Sequence, residues 1–214
     1  DVRLPNEIIG RIVRSPHHYA KVVSVDTSQA EALPGVLAVA TGEDAPNKFG
    51  VLPVTKDEHA MAVEKVRHVG DLVACVAAVD EATAREAASL IKVEYEVLDS
   101  IHDMKKGLED VDEPIHWRGK YHVGSTNVQK RVFQEFGDRS MVENPNAMYH
   151  GKWKYMGVNH GFTEPHAVVA HWDSNGRLQL YTPQQVPHYV HRALATVLDV
   201  PMHQVNVILS LIHI

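Results

Sequence analysis

At 214 residues, 44% hydrophobic and 22% charged, the chain has the composition of an ordinary soluble protein and can bury a core, as one large domain or two modest ones. Its 21 basic against 27 acidic side chains leave a formal charge of −6, which argues against the clustered-cation footprint of a nucleic-acid binder. No apolar run approaches the ~18 residues of a membrane span, and a single cysteine excludes a disulfide framework or an iron–sulfur site built by this chain alone.

Residues 8–15 read as a strand ended by Pro16, and 21–25 as another. Asp26 and Thr27 offer N-caps to a short helix over 28–33, which Pro34-Gly35 stops. Strands follow at 36–41, 65–69 and 72–79. The last is apolar throughout, as expected of a strand covered on both faces. Cys75 within it reads as a buried, inert thiol. Asp80 caps an Ala-rich helix over 81–90, and the strand 91–97 alternates, with Ile91, Val93, Tyr95 and Val97 on one face and charges on the other. The strand–helix–strand units 22–40 and 72–97 predict an α/β domain with helices packed on a mixed sheet. There is no Gly-rich phosphate loop, so nothing supports a nucleotide site in these units.

Residues 108–135 lack periodicity and read as a linker. Further on, a strand leads through the tight turn Asp173-Ser174-Asn175-Gly176 into a second strand at 178–181. The loop Thr182-Pro183-Gln184-Gln185-Val186-Pro187 delivers two glutamines just ahead of a helix over 187–198. Pro187 suits its first position, and Val190, Leu194, Val197 and Leu198 form an apolar stripe. His188, His191 and Arg192 lie off that stripe, on a solvated face or against a bound cofactor or substrate. Residues 205–208 fit a final strand. The chain holds fifteen histidines, but the spacing of His150, His160, His166 and His171 matches no metal-site pattern, and no metal ligands are assigned.

The string His160-Gly161-Phe162-Thr163-Glu164-Pro165-His166-Ala167, then Trp172…Gly176-Arg177-Leu178, then Pro183-Gln184-Gln185-Val186-Pro187 and Leu198-Asp199-Val200-Pro201, resembles the opening of the molybdopterin-binding part of the xanthine dehydrogenase and aldehyde oxidase family. Arg14-Ser15-Pro16-His17, Ala32-Leu33-Pro34-Gly35-Val36, Val66-Arg67-His68-Val69-Gly70-Asp71 and Val93-Glu94-Tyr95-Glu96 resemble the a/b hammerhead domain that precedes it there. The implied fold is α/β (α+β): a hammerhead over 1–107, a linker over 108–135 and the start of the molybdopterin-binding domain over 136–208. Phe136-Gly137-Asp138 resembles the start of that part, whereas Pro145 and two asparagines within 139–147 favour turns where relatives carry a short helix, which leaves open whether 139–147 form one. Residues 209–214 look like the translation of a transposase end used in library preparation, and the chain, beginning at Asp1, reads as a piece of a longer protein.

The resemblance implies a cytoplasmic molybdenum oxidoreductase. Its cofactor is molybdopterin in the cytosine-dinucleotide form, and partner subunits carry FAD and a 2Fe–2S centre. In the family the dithiolene of the pterin binds the metal, and the protein supplies position and hydrogen bonds. Gln185, sixteen residues before Pro201, falls at the family's cofactor-facing glutamine, with Gln184 as its neighbour and second candidate. The catalytic glutamate of the family lies beyond residue 214, so Glu164 reads as a structural carboxylate. The stretches 49–54 and 189–195 look most like the 4-hydroxybenzoyl-CoA reductase branch, which removes a ring hydroxyl. The xanthine dehydrogenase, aldehyde oxidase and carbon monoxide dehydrogenase branches remain alternatives. The substrate would be a small aromatic or heterocyclic molecule, for that first branch a CoA thioester. Two readings of other classes stand beside these: a non-catalytic hammerhead binding module and a His-rich metal-binding protein.

Overall fold

The structure, a computed structural model, describes residues 2–52, 54–138, 140, 149–159, 161, 163 and 165–209. In chain order the elements are β1 (Ile9–Arg14), β2 (Ala20–Asp26), α1 (Ser28–Glu31), β3 (Val36–Thr41), β4 (Lys65–Val66), β5 (Leu72–Ala78), α2 (Glu81–Leu90) and β6 (Lys92–Val97). After a long stretch without strands come β7 (Val169–Trp172), β8 (Leu178–Thr182), α3 (Pro187–Val197) and β9 (Val205–Leu209).

The first half holds two three-stranded sheets, ordered β1-β5-β3 and β4-β2-β6. Every pairing in them is antiparallel, from Ile9 opposite Ala78 to Ala20 opposite Val97. This corrects the mixed sheet expected from the strand–helix–strand units. In each unit the two strands enter different sheets, so the helix bridges sheets rather than crossing over one.

β5 joins the two sheets into one core. Ala74 and Val76, buried with Ala30 of α1, Ala87 of α2 and Ile91, form one cluster; Val73, on the opposite face, packs with Ala20, Ala62 and Val66. That is why β5 is apolar throughout. Fully buried alanines at 30, 74 and 87 leave room for both helices to press onto the strand. Cys75 lies on the face of Val73 and is half-buried rather than enclosed; burial pushes its thiol up, which keeps it protonated and unreactive.

Asp80 caps α2 as expected, its carboxylate accepting the Thr83 amide at 2.8 Å. Around α1 the caps divide differently: Thr27 caps nothing with its side chain, while Asp26 accepts the Ser28 amide at 3.0 Å. The helix ends at Glu31 because the chain tightens, Leu33 bonding Ala30. It then turns at Gly35, whose φ of +93° favours glycine. The strand expected over 65–69 stops at Val66, since Asp71 captures the Arg67 amide at 2.9 Å and the chain bends.

In the second half β8 is central, antiparallel to β7 and parallel to β9, with α3 on the connection. The β7–β8 turn is held by Asp173, whose Oδ1 accepts the amides of Asn175 and Arg177 and whose Oδ2 accepts the Gln179 side chain. Leu178, Ala195 and Val205 form its small core. Leu209 closes β9 opposite Thr182, while residues 210–214 lie outside the described residues. So do His160, Phe162, Glu164 and most of the 139–147 stretch whose helix the sequence leaves open.

Candidate functional site

β8 ends at buried Thr182, and the chain then swings out through Gln184 and Gln185, both exposed, before α3 begins at Pro187. Proline fits there because its missing N–H needs no partner at a helix start. Val186 occupies the N-cap without a side-chain cap, and neither glutamine amide bonds any described residue. The two amides are therefore not helix caps; they are uncharged donor–acceptor groups presented outward.

Beneath them opens a cleft of about 460 Å³, floored on one side by Val190, Leu194 and Val197 of α3. Its opposite wall is a hairpin of the first half. Phe49 and Glu58 bridge there through amide–carbonyl bonds of 2.8 and 3.1 Å, and Phe49, Val51 and Ala60 face the cleft. The stripe predicted on α3 thus serves two surfaces. Leu194 also packs on the small core with Ala195, whereas Leu198 is 42% exposed and belongs to neither. The Asn47 side chain ties the two halves by donating to the Val197 carbonyl at 3.4 Å.

The polar side of α3 is tied to the protein itself. His191 lies 2.8 Å from the Met202 carbonyl, Arg192 stacks on the Tyr189 ring at 5.2 Å, and His188 is exposed. Among the described residues no three His, Cys, Asp or Glu side chains gather as a metal site. An apolar cleft overhung by uncharged amides suits a flat, weakly polar ring and an oxygen-bearing group above it.

The sequence puts Gln184 and Gln185 in the loop before α3, where they line the cleft, but does not mark the hairpin as its other wall. The only signal is stretch 49–54, legible as wording and not as surface. It also leaves unmarked Asp57, 2% exposed, whose carboxylate accepts the Trp117 amide at 2.7 Å and lies 3.2 Å from His116 Nδ1 and 3.7 Å from Arg67. Burial pushes that carboxyl up, but the amide, His116 and Arg67 outweigh burial and hold it below the usual range.

The chain is thus built as two small antiparallel sheets, then a strand–glutamine loop–helix. Residues 1–99 match the family described as "Aldehyde oxidase and xanthine dehydrogenase, a/b hammerhead domain", and residues 122–212 match "Molybdopterin cofactor-binding domain". The chain carries these two adjoining domains of the xanthine dehydrogenase and aldehyde oxidase family.

It is 32% identical to the nicotinate dehydrogenase large molybdopterin subunit of Eubacterium barkeri, over 97% of this chain and 48% of that protein. Among solved structures, reconstituted CO dehydrogenase from Oligotropha carboxidovorans superposes with a TM-score of 0.79 at 29% identity, covering 97% of this chain and 27% of the other. Quinoline 2-oxidoreductase from Pseudomonas putida 86 gives 0.77 at 27% identity, covering 98% and 27%. The chain thus spans less than half the length of each of these proteins. No helix among the described residues is long and apolar enough to cross a membrane.

Proposed function

We propose that this chain forms the hammerhead (1–107), the connecting stretch (108–135) and the opening of the cofactor-binding domain (136–208) in the large subunit of a molybdenum-dependent oxidoreductase. In this reading the cleft beneath Gln184 and Gln185 takes an aromatic ring. The observation that carries it is the meeting of two distant stretches: Phe49 and Val51 face Tyr189, Val190, Ala193 and Leu194 across one apolar cleft, with Gln185 at its mouth.

The residues present fit a molybdopterin. The cofactor supplies the two-electron redox chemistry at a metal held by the pterin. Gln185, unbonded to any described residue, can hold an oxygen of the metal or substrate without adding charge. Gln184 flanks it, and Pro183 and Pro187 restrict the backbone between them. Val190 and Leu194 exclude water from the ring's face.

The cytosine-dinucleotide form of the cofactor, the FAD and 2Fe–2S partner subunits and a cytoplasmic setting belong to the same proposal. Its finer branch is 4-hydroxybenzoyl-CoA reductase, a reductive dehydroxylation in which two electrons and two protons release the ring hydroxyl as water. Support comes from the fact that the two stretches resembling that branch, 49–54 and 189–195, are the two that wall the cleft. A second branch, oxidation of a nitrogen heterocycle, is favoured by the named substrates of the nicotinate and quinoline enzymes.

The test is to express the complete subunit with its neighbouring subunits, measure molybdenum, and assay 4-hydroxybenzoyl-CoA reduction beside nicotinate and quinoline oxidation. Folded enzyme without molybdenum overturns the family role. Molybdenum-loaded enzyme that turns over only the heterocycles overturns the reductase branch.

A further inference from the structure

The stretch between the two domains is a closed strap, docked on the hammerhead. Within it Val111 bonds Ser125 at 2.8 Å, Asn127 bonds the Gly107 carbonyl at 3.1 Å, and Val123 bonds Val128 at 3.0 Å. The Arg118 side chain reaches the Val111 carbonyl at 2.9 Å. These bonds tie the strap to itself.

Its attachment to the hammerhead is concentrated at one point. The buried Asp57 carboxylate receives the Trp117 amide and the His116 ring, while Arg67 sits beside it and donates through Nε to the Ile115 carbonyl at 2.9 Å. Ile115 in turn donates to the Asn127 side chain at 2.8 Å. At the strap's rim Lys65 pairs with exposed Glu113. The strap also leans on the hairpin tip: a Cβ at Gly119 would stand 2.9 Å from the Val54 carbonyl oxygen, closer than side chains approach backbone.

Asp57 belongs to the returning arm of that same hairpin. Its neighbour Glu58 forms the bridge to Phe49, and Ala60, three residues on, lines the cleft. The arms are close-packed, since a Cβ at Gly50 would meet the Thr55 carbonyl at 2.6 Å. A displacement of Asp57 is therefore passed to Phe49 and Val51 instead of being absorbed in the turn. Buried polar atoms without a partner among the described residues concentrate here: His122 Nε2, Asn127 Nδ2 and Gln129 Oε1 in the strap and His59 Nδ1 in the hairpin. Each unmade bond weakens docking. The strap's hold thus depends on the Asp57 clasp.

We infer that Asp57 is a positioning residue. By clasping the strap at Ile115–Trp117 it fixes the hairpin that walls the cleft, so strap docking and the placement of Phe49 and Val51 are one coupled equilibrium. The inference concerns this chain's own contacts and stands whichever molecule the cleft takes.

The test is hydrogen exchange read by mass spectrometry on the 214-residue chain. Variants are Asp57→Asn, which keeps shape but loses the charge, His116→Gln at a partly exposed strap position, and Gly119→Ala where the strap meets the hairpin tip. Hydrogen bonds to a buried charge set the scale: strap amides 111–128 in Asp57→Asn should lose roughly ten- to hundredfold protection. The amides of 49–60 should follow in all three variants, although His116 and Gly119 lie in the strap, while β1, β5 and β6 keep their protection. A purely local role would disturb only the residues touched directly, Asp57 for His116 and Val54 for Gly119, and leave the amides of Phe49 to Val51 unmoved. If the strap loosens in His116→Gln or Gly119→Ala and 49–51 does not, the coupling is refuted. If Asp57→Asn leaves the strap protected, Asp57 is not the clasp. Should Asp57→Asn unfold the whole chain, the other two variants decide.

Discussion

The side chains that matter most here differ in what surrounds them. Gln185 has no described partner and stands exposed at the cleft mouth, whereas Asp57 is enclosed and saturated with donors. For Gln185 the expected consequence is kinetic. Losing one positioned donor at developing charge costs about 10²–10³ in rate. Gln185→Ala in the complete enzyme should therefore lower kcat by about that factor with molybdenum content unchanged, and Gln184→Ala far less. Steady-state kinetics on metal-matched preparations checks this; equal effects of the two would show the loop is misaligned. For Asp57 the consequence is a pH dependence. Its carboxyl sits below the usual range in the folded chain, so its contribution is present above the ordinary Asp value of about 3.9 and disappears as pH falls through the folded value. The groups facing it are His116, Arg67 and His59, with Lys48 and Glu64 next to His59. Exposed Asp26 and Asp80 and partly exposed Asp173 also have lowered values and push stability the same way. The diagnostic is thus a difference: thermal midpoints of wild type and Asp57→Asn should converge as pH falls from 5 toward 2.5. A gap that stays constant across that range would deny Asp57 its part.

At the scale of elements, local signals and long-range ones separate cleanly. α2 was legible because Asp80, the alanine run and the alternating strand after it all act within a few residues. α3 was legible from Pro187 and its stripe. The division into two antiparallel sheets was not, because β2 pairs with β6 some seventy residues away and nothing local encodes that partner. The strap was illegible for the same reason: its anchor, Asp57 to Trp117, spans 60 residues of chain. The glutamine loop could be located in sequence, but the cleft wall opposite it could not, since Phe49 and Tyr189 meet only through the tertiary fold. β5 offers a direct check of the two-faced core. Val76, 1% exposed among the helices, and Val73, 0% exposed against β2 and β4, should each cost about 2–3 kcal/mol when cut to alanine. Ile12, 47% exposed on neighbouring β1, should cost much less. Urea unfolding midpoints would measure this, and a large loss at Ile12 with none at Val73 would reverse the assignment of faces.

Across the whole molecule, order in the backbone is unevenly distributed. The hammerhead is built of two sheets and two helices around shared valines and alanines, and the strap is hydrogen-bonded to itself and clasped to it. Residues 131–138 and 149–158 form no strand, and their large apolar side chains stand open: Phe133 at 82%, Phe136 at 89%, Tyr155 at 86% and Val158 at 88% exposure. Limited proteolysis reads that difference, because cleavage follows backbone that can leave its place without breaking buried contacts. Trypsin should cut first after Arg131, Lys152 and Lys154, later after Arg118 and Lys120 within the strap, and last after Lys92 in β6 or Arg85 in α2. Mass spectrometry of early digests gives the order directly. The same chain, expressed alone, should carry no stoichiometric molybdenum, since the amides proposed to face the cofactor lie on one open side of a cleft. Early cuts inside 22–97, or one molybdenum per chain by elemental analysis, would mean that the hammerhead is not the stable unit or that the glutamine loop suffices to hold the cofactor.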